Sequence, residues 1–90
     1  MNADKMLSEL GYMHMVETID NLIWILYGHE YKYEIDFYKK RKEVAYRVIE
    51  RETDTIVDIN GMSMKELQAI NKKCQELGWI EWKHLKDTSC

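Results

Sequence analysis

Apolar residues recur at the spacing of an α-helix between Ser63 and Gly78. Ser63 and Glu66 have capping-box spacing, in which the serine side chain accepts a backbone N–H and the glutamate bonds back to the serine N–H. Gly78 follows the last apolar position, where a left-handed residue ends many helices. The pattern therefore predicts a helix over residues 64–77. Its predicted inward positions are Leu67, Ala69, Ile70, Cys74 and Leu77.

A shorter pattern of the same kind lies at the N-terminus. Asp4 is a common N-cap residue type and precedes Met6, Leu7 and Leu10, which have helical spacing. Gly11 follows as a stop signal. We therefore expect a short helix from Asp4 through Leu10, with its three apolar side chains facing inward.

Between these helices the hydrophobic period changes to two, which is typical of strands with one buried face. Residues 31–38, 44–49 and 56–59 are interpreted as strands, joined by polar turns at residues 39–42 and 50–54. In the strand over residues 31–38, apolar side chains alternate with residues on the opposite side of the strand, which we expect to face solvent. That side consists of Lys32, Glu34, Asp36 and Tyr38.

Residues 12–28 fit two structures. As strands, they divide into residues 12–17 and 22–27 around a turn at Asp20-Asn21. As a helix, they would align four apolar residues on one side: Val16, Ile19, Ile23 and Leu26. The density of Ile, Trp and Tyr in residues 22–27 favours strands.

The elements together predict an α+β fold. A short N-terminal helix precedes a mainly antiparallel β-meander of four to five strands, and a C-terminal helix packs on one sheet face. Residues 22–27 are apolar on both sides of their strand, so the other sheet face needs a cover. Three elements could cover it: the first helix, residues 79–82 or a second chain. We expect one domain over residues 1–82 and a polar, mobile tail over residues 83–90.

Composition and charge narrow the class of protein. The 90 residues are 46% hydrophobic and 32% charged, with no proline and four glycines, which indicates one globular domain without a flexible linker. The net charge of −3 disfavours nucleic acid as a partner, because phosphate binding relies on basic surfaces. No signal peptide or membrane-spanning run is visible, and Cys74 and Cys90 do not suggest a disulfide framework. We therefore expect a cytoplasmic protein without membrane contact.

Four short segments carry a resemblance to known proteins. They are MKELQAIN at residues 64–71, ELGW at residues 76–79, LGY at residues 10–12 and IDF at residues 35–37. This layout resembles a group of small phage and prophage proteins of Gram-positive bacteria. The similarity spans most of the chain and is specific in its last third. No activity is assigned to that group, so the resemblance implies an accessory protein of a bacterial host cell and no site residues.

Residue types that could support catalysis lack the required spacing. None of the histidines has a second histidine or a cysteine three or four residues away, as metal sites commonly do: His14, His29 and His84. Glu34 and Asp36 share one side of a strand, as paired carboxylates in a hydrolase do. Lys32 lies on that side too and indicates a solvated face. We predict no catalytic residue, metal or cofactor, and no enzymatic activity.

Aromatic residues are the strongest functional signal. They are more numerous than a core of this size readily absorbs, and tryptophan and tyrosine dominate the binding energy of many interfaces. We therefore predict a protein-interaction module that contacts a host or phage protein, with a homodimer as one form. The predicted contact residues are Trp24, Tyr27, Trp79, Ile80 and Trp82.

Two other functions stay open. A nucleic-acid-binding regulator could contact phosphates through a basic cluster and stack a base on Tyr38, although a solvated turn is the more common role of such a cluster. The cluster consists of Lys39, Lys40, Arg41 and Lys42. The 16 acidic residues would also permit an inhibitor of a host enzyme or defence nuclease that mimics nucleic acid.

Overall fold

The computed structural model describes residues 1–57 and 61–80, which contain two helices and five strands. In chain order these are α1 (Ala3–Glu9), β1 (Met13–Glu17), β2 (Asn21–Tyr27), β3 (Tyr31–Tyr38), β4 (Glu43–Glu50), β5 (Thr55–Val57) and α2 (Met64–Glu76). The predicted α+β class, with a short helix, an antiparallel sheet and a C-terminal helix, is confirmed. Within these residues, neither helix has the length and apolar character needed to cross a membrane.

The chain divides into two compact units. A helical unit combines Met1–Leu10 with Met62–Cys90, and a sheet unit comprises Gly11–Gly61. The predicted polar tail, residues 83–90, lies outside the described residues. The same holds for Trp82, His84 and residues 58–60, which include the end of the predicted third strand.

The predicted N-terminus of the long helix is confirmed. The Ser63 N–H donates to Glu66 Oε1 at 2.9 Å, and the Glu66 N–H donates to Ser63 Oγ at 3.1 Å. Two of the four N–H groups that a helix start leaves unpaired are commonly satisfied by such an exchange. Gly78 follows the helix with φ +80°, the left-handed conformation expected of a residue that ends a helix.

The buried side of α2 differs from the prediction at Leu67, which is 47% exposed. The buried residues of α2 are Ala69, Ile70 and Cys74. Contacts with α1 explain this choice of side. The Ala3 N–H donates to Glu76 Oε2 at 2.9 Å, and Lys73 Nζ donates to Asp4 Oδ1 at 2.9 Å.

The N-cap of α1 is Asn2, so the prediction of Asp4 was wrong. Asn2 Oδ1 accepts the Lys5 N–H at 2.8 Å. Asp4 lies in the first turn, where its negative charge is favourable beside the unpaired N–H groups, and it pairs with Lys73. Of the predicted inward residues, Leu7 is buried, whereas the other two, Met6 and Leu10, are half-buried.

The sheet is an antiparallel meander in which every strand pairs with its neighbours in sequence. The strand interpretation of residues 12–28 is confirmed, because they form β1 and β2. Thr18 Oγ1 accepts the Asp20 and Asn21 N–H groups in the turn between these strands. The pairing of β1 with β2 is irregular between His14 and Val16.

The two faces of the sheet differ in composition. Since paired residues in neighbouring strands share a face, the register assigns Leu22, Trp24, Ile35, Phe37 and Val48 to one face. All five are at most 4% exposed, and full burial of such a side chain contributes about 1.5–3 kcal/mol. We call this the buried face. The opposite face, here the open face, includes Ile23, Ile25 and Tyr27 of β2, as the apolar character of both sides predicted.

We expect Ser63→Ala to lower the free energy of unfolding by about 1 kcal/mol, because it removes the side chain that accepts the Glu66 N–H. Urea denaturation followed by circular dichroism measures the change. Ser8→Ala is the matched control, since Ser8 is exposed within α1, and we expect it to change stability by less than about 0.5 kcal/mol. Equal losses in both variants would contradict the capping role.

Candidate functional site

An apolar patch lies on the open face of the sheet, across β1 and β2. The register pairs Met13 with Ile25 and Val16 with Ile23, and Tyr27 lies two residues beyond Ile25 on the same face. Met13, Val16 and Tyr27 are 50%, 42% and 44% exposed, and the two isoleucines are half-buried. We call these five residues the β1–β2 patch. Adjacent apolar side chains that remain exposed are typical of an interaction surface.

A polar cluster lies beside the patch on the same face. Arg47 donates from Nη1 to Asp36 Oδ2 and from Nη2 to the Tyr38 hydroxyl. The Tyr38 hydroxyl in turn donates to Asp36 Oδ2 at 3.2 Å. Such charge-assisted bonds offset much of the cost of removing a carboxylate from water.

The prediction that Asp36 faces solvent was wrong, because it is only 4% exposed. The register pairs Arg47 with Glu34 and Ala45 with Asp36, so Arg47 reaches Asp36 diagonally. Long side chains commonly span this diagonal separation. The small side chain of Ala45 leaves room directly opposite Asp36. Lys32, Glu34 and Tyr38, which share the predicted solvent side, are half-buried.

One oxygen of Asp36 is left without a donor. Oδ1 is buried and has no hydrogen-bond partner within the described residues. Burial raises the pKa of Glu34, and the hydrogen bond to Asp36 and the negative charge of Asp36 raise this pKa further. The positive charges of Arg47 and Lys32 oppose that rise. Glu34 therefore keeps its proton to a higher pH than an ordinary glutamate, and its O–H can donate to Asp36.

Neither catalytic nor metal-binding geometry accompanies this carboxyl pair in the described part of the chain. No group of three His, Cys, Asp or Glu side chains there is arranged to hold a metal ion. His14 instead stacks on Trp24, with ring centroids 5.1 Å apart, and His29 lies in the exposed turn after β2. In Cys74, burial raises the pKa of the thiol, which disfavours the nucleophilic thiolate.

The predicted contact residues fall in different places. Tyr27 belongs to the β1–β2 patch, whereas Trp24 is 4% exposed and lies on the buried face. Trp79 and Ile80 are half-buried in the helical unit, where the Trp79 N–H donates to the Cys74 carbonyl at 2.9 Å. The remaining predicted contact, Trp82, lies outside the described residues.

Sequence reasoning missed the β1 contribution to the patch. Met13 and Val16 are three residues apart, which breaks the two-residue alternation of a strand. Both residues nevertheless lie on the open face, because the pairing of β1 with β2 shifts between His14 and Val16. An extra residue in one strand places both side chains opposite the isoleucines of β2. The strongest available signal was the apolar character of both sides of β2.

The basic cluster is engaged by acidic neighbours. Three of its side chains form ion pairs: Lys39 with Glu17 (3.2 Å), Lys40 with Asp20 (3.1 Å) and Arg41 with Glu43 (3.9 Å). The Arg41 guanidinium also lies 4.5 Å from the centroid of the Tyr38 ring, where a base would have to stack. These contacts leave less positive charge for phosphate than the sequence alone indicates. The fourth member, Lys42, occupies a left-handed turn position with φ +55°.

Comparison with known proteins provides no further guide to the site. No family model, curated protein or solved structure matches the chain. The candidate site therefore rests on its geometry: an apolar patch and a carboxyl pair that share one face of the sheet.

We expect Asp36→Ala to destabilise the protein by about 1–3 kcal/mol, because it removes hydrogen bonds that a buried carboxylate makes to Arg47 and Tyr38. Glu43→Ala is the control, since its ion pair with Arg41 is exposed and such pairs contribute about 0–1 kcal/mol. Urea denaturation at neutral pH measures both. If both variants lose a similar, small part of the free energy of unfolding, Asp36 does not stabilise the sheet.

Proposed function

We propose that this protein is a non-enzymatic protein-interaction module that forms a homodimer through the β1–β2 patch. The supporting observation is the patch itself, in which three exposed apolar side chains flank two half-buried isoleucines. Covering this surface would remove apolar area from water, which is the main driving force of association. Among the described residues, no strand pairs with the outer edge of β1. This edge adjoins the patch, so the surface continues to the rim of the sheet.

Charge balance supports a second copy as the partner. The open face carries the positive charges of Lys32 and Arg47, and Arg51 lies against the ring of Tyr27. Carboxyl groups at Glu34, Asp36 and Glu43 share this face, so neither positive nor negative charge dominates it. A strongly basic or acidic partner would meet no strong complementary potential there. A second copy presents the same apolar strip and the same balanced charges. A two-fold interface between identical patches can therefore satisfy both.

The biological setting is part of the proposal. The resemblance to phage and prophage proteins supports an accessory role in the cytoplasm of a bacterial host. In that setting the dimer would present its remaining surface to a host or phage protein. The ion pairs around Lys39, Lys40 and Arg41 favour a protein partner over nucleic acid.

Sedimentation equilibrium tests the dimer directly. We expect a mass twice that of one chain at micromolar concentrations, with dissociation on dilution, at one or more pH values between about 4.5 and 8. A single-chain mass up to millimolar concentration at every pH in this range would overturn the proposal.

Ile25→Lys is expected to weaken dimerisation by at least about a hundredfold, because each protomer places one Ile25 in the interface and each loses about 1.5 kcal/mol or more. Leu67→Lys is the matched control, since Leu67 is 47% exposed in the helical unit, and it should leave the dimer unchanged. Val16→Lys provides a second test on the exposed edge strand if Ile25→Lys unfolds. A folded Ile25→Lys or Val16→Lys protein with undiminished dimerisation would exclude the patch.

A further inference from the structure

We propose that dimerisation through the β1–β2 patch takes up protons at Glu34, so that the dimer forms at mildly acidic pH and dissociates as pH rises. This inference rests on the proposed homodimer and adds a means of regulation to it. The geometry that supports it is the position of Glu34 and Asp36 beside the patch.

The carboxyl pair borders the patch directly. The sheet register pairs Ile25 with Glu34 and Ile23 with Asp36, so a surface that covers these isoleucines also reaches Glu34. Asp36 is already buried in the single chain, where it is only 4% exposed, and its Oδ1 lacks a donor among the described residues. Glu34 is half-buried and still in contact with water. Of the two carboxyl groups, Glu34 is therefore the one whose solvation a partner would change.

The positive charges of this face offset a negative charge on Glu34 only weakly, as the other charged and titratable groups there show. On β3 they are Lys32, Asp36 and Tyr38, on β4 they are Arg47 and Glu43, and on β2 the titratable Tyr27 lies on this face. The Arg51 guanidinium lies 5.4 Å from the Tyr27 ring centroid and donates to the Gly28 carbonyl. Arg47 already donates to Asp36 and Tyr38, and Lys32 Nζ lies 3.7 Å from Asp54. Water is thus an important stabiliser of a negative charge on Glu34, and a partner would displace it.

Protonated Glu34 suits the covered state. The neutral carboxyl carries one O–H donor, and the buried Asp36 Oδ1 is an acceptor that needs one. A proton on Glu34 therefore removes a charge that would be buried and completes the hydrogen bonding of Asp36. Burying an unpaired polar oxygen or an uncompensated charge is unfavourable.

The direction of the pH dependence follows from the pKa of Glu34, which in the free chain already lies above its ordinary value of 4.5 because of burial and Asp36. Further burial in the dimer raises this pKa again. Below both pKa values Glu34 is neutral in both states, and association is strongest. Between them each protomer takes up a proton on association, so the dissociation constant rises with pH, by at most a hundredfold per pH unit for two protomers.

The test compares wild type with two variants by sedimentation equilibrium between about pH 4.5 and pH 8 at constant ionic strength. Glu34→Gln keeps a donor for Asp36 and cannot ionise, so we expect it to dimerise tightly at every pH. Glu43→Gln removes an exposed carboxylate from the same sheet face, and we expect it to retain the pH dependence of wild type. The two variants have the same net charge at neutral pH. All other titratable groups are common to wild type and Glu34→Gln, so the comparison isolates Glu34.

The outcomes separate this inference from the function on which it rests. A wild-type dissociation constant that does not rise with pH, or a rise that persists undiminished in Glu34→Gln, would overturn the proton linkage and leave the dimer in place. Absence of a dimer in both wild type and Glu34→Gln at every pH would overturn the proposed function as well. Loss of the pH dependence in Glu34→Gln, with its retention in Glu43→Gln, would support the linkage.

Discussion

The register between β2 and β3 pairs Leu22 with Phe37 and Trp24 with Ile35 on the buried face. The same alignment pairs Ile23 with Asp36 and leaves them on the open face. A slip of one residue would exchange the two faces of a strand, so burial of the large apolar side chains strongly specifies this register. The chemistry of the open face therefore follows from a constraint imposed on the other side of the sheet.

The open face combines two requirements that oppose one another. Its apolar residues favour a cover that excludes water, whereas its carboxyl groups need water, a proton or a cation. Arg47 satisfies one oxygen of Asp36, and the other remains without a donor in the described residues. Local departures from full hydrogen bonding in otherwise regular domains are often associated with function. Here the departure directly adjoins the proposed dimer surface, and the proposed link between association and protonation rests on that position.

Trp24, a predicted contact residue, and Arg41, a member of the basic cluster, both contact side chains of their own chain. Trp24 stacks with His14 on the buried face, and Arg41 lies against the Tyr38 ring. Their tertiary neighbours therefore occupy part of the surface that each would offer to a partner. Smaller side chains such as Met13 and Val16 contribute to the patch instead, because a shift in the pairing of β1 aligns them with β2.

Short-range patterns in the sequence determined the helix start at Ser63, the helix end before Gly78, the strand interpretation of residues 12–28 and the meander. Each depends on hydrogen bonds or alternation within a few residues, which the chain encodes locally. Tertiary structure decided which side of α2 is buried, because α1 supplies the contacts, and it decided between Asn2 and Asp4, because Lys73 pairs with Asp4. It also decided the burial of Asp36, because Arg47, 11 residues away, donates to its carboxylate. The raised pKa of Glu34 likewise depends on the fold, since its largest cause is burial among neighbouring strands. Burial and electrostatics are properties of neighbours in space, and an amino-acid sequence specifies those only once it has folded.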